Sequence, residues 1–166
     1  MSYFKEIPLS GKFGKGKFTK VSNRHYEAVN KITWSLSTNN RVTGTVDGAH
    51  MYLHVYVWFL EHGEYCDQIV DHKDSKDVLN NTIENLRSAT GSQNGANRIL
   101  SDKNRSGCKN VSFYPGKRKW VVAVGEKKCG QFNTIDEAVT AAKKASLEKY
   151  GQHSESWTLR EISTLI

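Results

Sequence analysis

Hydrophobic and polar positions change rhythm along this chain. Residues 11–18, GKFGKGKF, alternate lysine, glycine and phenylalanine, which is turn chemistry with a basic face. Residues 32–36 alternate and are rich in β-branched and aromatic side chains, so they read as a strand. Asn39 and Asn40 read as a turn, and residues 41–46 pair back. Residues 51–63 are apolar at nearly every position, which fits a strand or a helix equally. Residues 68–72 read as a strand, 73–84 as a polar loop without periodicity, 85–90 as a second strand and 92–100 as a short helix.

The polar stretch 101–107 reads as a linker. Beyond it, residues 110–114 and 120–124 alternate as strands around a turn at 115–118, and 128–132 supply a third strand. Alternation sends Val111, Phe113, Trp120, Val122 and Val124 toward a common core. It leaves Ser112, Tyr114, Lys119, Val121 and Ala123 on the opposite face. Thr134 and Glu137 fit a capping box, and Ile135, Ala138, Val139, Ala142 and Ala145 follow at helical spacing. Their small size predicts a helix lying close against the sheet. Residues 152–166 receive no element.

Composition narrows the function classes. The chain has 166 residues and a formal net charge of +7, which points to a polyanionic partner, nucleic acid before membrane. Its three cysteines, Cys66, Cys108 and Cys129, form no CxxC pair, so a reducing cytosol is expected. No signal peptide is expected at the N-terminus, and no apolar run reaches the roughly 20 residues of a membrane span. The stretch 103–128 holds Lys103, Arg105, Lys109, Lys117, Arg118, Lys119, Lys127 and Lys128 against Glu126 alone.

The strand–loop–strand–helix segment carries the candidate chemistry. Asp71 and His72 are adjacent, Asn85 follows thirteen residues after His72, and Asn94 nine residues later. With Glu84-Asn85-Leu86-Arg87 and Ser92-x-Asn94-x-x-Asn97, this spacing resembles the core of phage-type HNH endonucleases whose last position is Asn. The resemblance implies an α+β fold built on a ββα-metal unit behind a β-rich lead-in. It makes His72 the general base and Asn85 the residue that orients it. Asp71 and Asn94 become oxygen ligands of Mg²⁺, with Mn²⁺ as a substitute. Neighbours on a regular strand face opposite ways, so the strand is expected to end or twist at His72. His54 departs from the His-Arg usual at its place and reads as a packed histidine. Asn97 suits either support of the site or a capping role.

The three strands and helix at 105–151 resemble the apetala/ethylene-response-factor type DNA-binding domain, through Asn110-Val111, Lys119-Trp120 and Cys129-Gly130-Gln131-Phe132. The implied layout is a nuclease domain at 1–100, a linker at 101–107, the DNA-binding domain at 108–151 and a tail at 152–166. Arg105, Lys109, Ser112, Tyr114, Lys117, Arg118, Lys119, Lys127 and Lys128 are the candidate DNA contacts. The expected function is metal-dependent hydrolysis of double-stranded DNA by a cytoplasmic, homing-type enzyme, monomeric or homodimeric, without a small-molecule cofactor. The rivals are a non-catalytic DNA-binding protein with a decayed nuclease fold and an RNA-directed protein.

Overall fold

The computed structural model describes residues 3–101 and 103–154. The chain divides into two compact units, residues 1–94 and 95–166. Among the described residues, no helix is long and apolar enough to cross a membrane.

The first unit is built from three small antiparallel sheets. β1 (Phe4–Pro8) pairs with β2 (Phe18–Ser22), with the short helix α1 (Gly11–Gly14) between them. Helix α1 and the start of β2 occupy the stretch expected to be a turn. A 3₁₀ turn and the helix α2 (Tyr26–Val29) follow. β3 is shorter than expected, only Ser35–Leu36, and pairs with β4 (Val42–Val46), which pairs with β5 (Ala49–Tyr52). Trp34 leaves the strand because its ring packs against Gly44. A Cβ on Gly44 would stand 2.7 Å from the Trp34 ring. The indole NH donates to the Val29 carbonyl at 2.9 Å, which fixes the ring.

The Asn39–Asn40 turn forms, with Asn40 at φ 59° and its NH bonded to the Ser37 carbonyl. Asparagine tolerates that left-handed conformation better than most residues. The turn delivers Arg41 to the head of β4.

The apolar stretch resolves into both of its alternatives in sequence. It is strand through Tyr52 and then helix α3 (Leu53–His62), closed by Gly63 at φ 76°. Leu53 and Val57 of α3 are fully buried with Val21, Val29, Trp34, Val42, Val70 and Leu86. Each such aliphatic side chain contributes about 1.5–3 kcal/mol on burial. This core anchors β6 (Ile69–His72) and β7 (Leu86–Ala89), whose antiparallel pairing sets Asp71 opposite Arg87 and His72 opposite Leu86. Helix α4 (Gly91–Asn97) follows, so strand, loop, strand and helix occur in the expected order.

In the second unit, β8 (Val111–Tyr114), β9 (Lys119–Val124) and β10 (Lys127–Phe132) form one sheet in the order β10-β9-β8. Helix α5 (Ile135–Tyr150) packs on it. The capping box is complete: Glu137 NH donates to Thr134 Oγ1, and the Glu137 carboxylate accepts from Thr134 NH. Such a cap is worth about 1 kcal/mol. Ala138 and Ala142 are fully buried against Val111, Val122 and Val124.

 The structure corrects the alternation at one point. Phe113 was expected to face the helix with Val111, Val122 and Val124, but it is 48% exposed and leans on the half-buried Trp120, ring centroids 5.0 Å apart. The buried cluster that meets α5 includes Val111 and Val122 but not Phe113.

Candidate active site

Leu79 and Ile83 of the segment between β6 and β7 pack against the apolar core, and polar contacts fix the rest of it. Its far end is pinned to β2, where Lys20 NH donates to the Leu79 carbonyl and Asn81 NH donates to the Lys20 carbonyl, each at 2.9 Å. Asn85 closes the loop from within. Its Oδ1 accepts from Asp74 NH at 3.0 Å, and its Nδ2 donates to the carbonyls of Asn80 at 2.8 Å and Asp77 at 3.4 Å. Both ends of the Asn85 amide are therefore spent on loop backbone. The contact to the His72 ring expected of Asn85 is made instead by Asn81.

His72 is 1% exposed at the end of β6. Its Nδ1 lies 2.8 Å from Arg41 Nη1 and its Nε2 lies 3.1 Å from Asn81 Oδ1. A guanidinium only donates, so Nδ1 accepts and Nε2 carries the ring proton. The imidazole pKa is pushed down to about 4, first by burial and then by the Arg41 charge. The Asn81 hydrogen bond and Asp71 oppose that shift. A neutral ring with its lone pair on Nδ1 is thus the form present at neutral pH.

Asp71 is 5% exposed, and its Oδ2 lies 3.5 Å from Arg87 Nη2. Asp71 and His72 thus reach different partners, as neighbours on a strand do, and the strand ends at His72 as expected. Asn94 is half-buried in α4, its NH bonded to the Thr90 carbonyl. Among the described residues, no three His, Cys, Asp or Glu side chains gather into a metal cage. The donors expected from the sequence, the Asp71 carboxylate and the Asn94 amide oxygen, are a set that suits a hard cation retaining several waters. Asn97, the other candidate support, is buried in α4.

His54, near the start of α3, is 9% exposed. Its ring stacks on Tyr52 at 5.3 Å and lies 5.1 Å from the His72 ring. Burial, then the nearby His72 and Arg41, push its pKa down to about 3. It is a buried, neutral ring beside His72.

The candidate DNA contacts divide into two groups. Arg105, Ser112, Tyr114, Lys117, Arg118, Lys127 and Lys128 are exposed. Lys109 turns inward, its Nζ donating to the Ala96 carbonyl at 2.8 Å, and burial lowers its pKa. Lys119 is half-buried and donates to Asn133 Oδ1.

Three site residues escaped the reading of the sequence: Arg41, Asn81 and Thr19. Arg41, just before β4, and Thr19, on β2, lie far from the site in sequence. Asn81 is one of three asparagines in the loop, with Asn80 and Asn85, for which turn capping is the ordinary role.

Residues 51–96 match the family model described as HNH endonuclease. Over 101 residues the chain is 37% identical to an uncharacterised HNH endonuclease of Acanthamoeba polyphaga mimivirus, covering 60% of this chain and 52% of that protein. The chain thus spans about half the length of the curated relative it matches. No solved structure matches it. The segment 51–96 thus resembles the HNH endonuclease family over a part of the chain whose last elements run strand, loop, strand and helix around a buried histidine.

Proposed function

We propose that this chain is a metal-dependent endonuclease that hydrolyses phosphodiester bonds of double-stranded DNA, with His72 Nδ1 as the general base. The observation that carries this reading is the ring itself. It is neutral, oriented, and has its one lone pair on Nδ1, beside a strand neighbour that supplies a carboxylate. Water attacking phosphorus gives its proton to Nδ1, and the imidazolium formed is steadied by Asn81 at Nε2. Arg41 must leave Nδ1 for that water to enter, and its guanidinium is then placed to meet the phosphate.

Asp71 and Asn94 would hold the metal. Asp71 brings an anionic oxygen, and the side chain of Asn94 takes part in no hydrogen bond among the described residues, which leaves its amide oxygen available. A bound Mg²⁺ or Mn²⁺ would supply charge relief at the leaving 3′-oxygen. Asn85 and the β2 clamp keep the loop closed around the base.

The second unit is proposed to bind the duplex, as its resemblance to the apetala/ethylene-response-factor fold suggests. A three-stranded sheet with Ser112 and Tyr114 exposed, flanked by Lys117 and Arg118 in the turn, suits a groove contact with phosphate neutralisation at its rim. The sequence resemblance also supports a homing-type role. One site per chain favours nicking by a monomer, and a homodimer would cut both strands.

The test is incubation of supercoiled plasmid with the full chain and Mg²⁺ or Mn²⁺. Conversion to nicked or linear DNA, abolished by EDTA and restored by added metal, is the expected result. Intact plasmid under all conditions would favour the non-catalytic DNA-binding rival, and undiminished cutting in chelator would remove the metal.

A further inference from the structure

We infer that Asn81, anchored by Thr19, is the positioning residue that fixes the tautomer of His72 and so selects Nδ1 as its basic atom; this rests on the reading of His72 as the general base. Hydrogen-bond direction fixes the tautomer. Four contacts form an unbroken series: Arg41 Nη1 to His72 Nδ1 at 2.8 Å, His72 Nε2 to Asn81 Oδ1 at 3.1 Å, Asn81 Nδ2 to Thr19 Oγ1 at 2.9 Å, and Thr19 Oγ1 to the Leu79 carbonyl at 2.8 Å.

The two ends of the series have no choice of role. A guanidinium has no acceptor, and a carbonyl oxygen has no proton to give. The Thr19 hydroxyl spends its proton on Leu79, so it receives one from Asn81 Nδ2. That turns Asn81 Oδ1 toward the imidazole, and Oδ1 demands the proton on Nε2. Every proton in the series is thereby placed by the chemistry of its ends.

Burial makes the order rigid. Thr19 is 0% exposed, while Asn81 and His72 are 1% exposed. Water is not at hand to repair a reversed amide or a flipped ring, and an unmet buried polar group costs roughly 1–3 kcal/mol. The backbone clamp between Lys20 and residues 79 and 81 holds Asn81 at the height of the ring. The arrangement also separates the two loop asparagines. Asn85 holds the loop's backbone, and Asn81 holds the base.

The constraint persists when Arg41 moves away. Thr19 and Leu79 still fix the amide, so Nε2 keeps its proton and Nδ1 its lone pair as water takes the guanidinium's place.

The test is ¹⁵N-imidazole NMR on the full chain at pH 7, with the His72 signals identified by their loss in His72→Ala, alongside plasmid nicking. The wild type is expected to show His72 as the Nε2–H tautomer alone. Asn81→Leu removes the acceptor at similar size and should give a mixture of tautomers, with nicking slower by about 10- to 100-fold, the usual worth of such a supporting contact. Duplex-DNA affinity should be unchanged. Asn81→Asp keeps an acceptor oxygen at Nε2 and should restore the tautomer. Thr19→Val, which keeps shape and deletes the hydroxyl, should loosen the tautomer even if Asn81→Leu fails to fold. An Nδ1–H or mixed ring in the wild type, or a pure Nε2–H ring in both folded Asn81→Leu and Thr19→Val, would overturn the assignment. The tautomer is read without catalysis, so a wild-type chain that shows Nε2–H but never cuts DNA would remove His72 as base and leave the hydrogen-bond assignment standing.

Discussion

Arg41 Nη1 stands 2.8 Å from His72 Nδ1, on the one ring nitrogen that has a lone pair to give. The arginine immediately precedes β4 and the histidine ends β6, so the contact ties the neighbourhoods of two sheets of the first unit together. It also adds to the effect of burial on the imidazole pKa. Burial and the Arg41 charge hold the imidazole near 4, against about 6.5 for the free side chain.

Arg41→Met should therefore raise the pKa of His72, because it removes a cation and keeps a stem of similar length. In single-turnover nicking, the wild-type rate should stay level through the neutral range and fall only as the pH approaches about 4. In Arg41→Met that acid limb should move upward, toward 6.5. An unperturbed imidazole would place that limb near 6.5. A limb at the same pH in both proteins would show that Arg41 does not act on the base.

Substitution of the proposed base and of the proposed metal ligand should fail in different ways. His72→Ala should lower the nicking rate by roughly 10² to 10⁴, the usual worth of a positioned general base. Duplex affinity should stay within a few-fold, since the ring is proposed to act on water rather than on DNA. Asp71→Ala should also stop cutting, but raised Mg²⁺ should restore part of its rate, because what is lost there is a ligand. Metal titration of both variants checks this, and rescue of His72→Ala by excess metal would exchange the two roles.

What was legible in the sequence is what local pattern encodes. The β6–loop–β7–α4 order, the three strands before α5 and the Thr134 cap all follow from periodicity and turn chemistry within a few residues. The partners of His72 do not. Arg41 lies 31 positions before it, and Thr19 meets Asn81 across 62 positions. No local pattern states such pairings. Asn85 and Asn81 are both loop asparagines, and which one faces the ring depends on the clamp to β2. Phe113 kept its strand phase in sequence but lies outside the apolar cluster beneath α5.

Stability should depend on pH through the same buried histidines. His72 and His54 hold folded pKa values of about 4 and about 3, both below the unfolded value of about 6.5. Between those limits the unfolded chain binds more protons than the folded one, so stability rises with pH. Their contribution is complete above about 6.5 and is lost as pH falls toward 4 and below. For His72 alone the span corresponds to about 3 kcal/mol, at roughly 1.4 kcal/mol for each pH unit. Urea midpoints of the metal-free chain at pH 7 and pH 5 should therefore differ, with the lower value at pH 5. His72→Gln should flatten the difference, and an equal drop in that variant would place the proton uptake elsewhere.

The second unit should bind DNA chiefly through its exposed turn rather than through every lysine near it. Lys117 and Arg118 are exposed, and Arg118 takes φ 51° at the end of the turn that joins β8 to β9. Lys109 is engaged with the Ala96 carbonyl, and Lys119 with Asn133. Each phosphate contact releases condensed counterions, so the slope of log affinity against log salt falls by about one when a contact is removed. In the full chain, Lys117→Ala and Arg118→Ala together should reduce that slope by about two, and Lys109→Ala should leave it unchanged. Lys109→Ala should instead lower the unfolding midpoint, because it empties a half-buried position that holds a carbonyl. Equilibrium binding of a duplex at several salt concentrations separates these outcomes. A slope that responds to Lys109 and ignores the turn would move the DNA contact off this edge of the sheet.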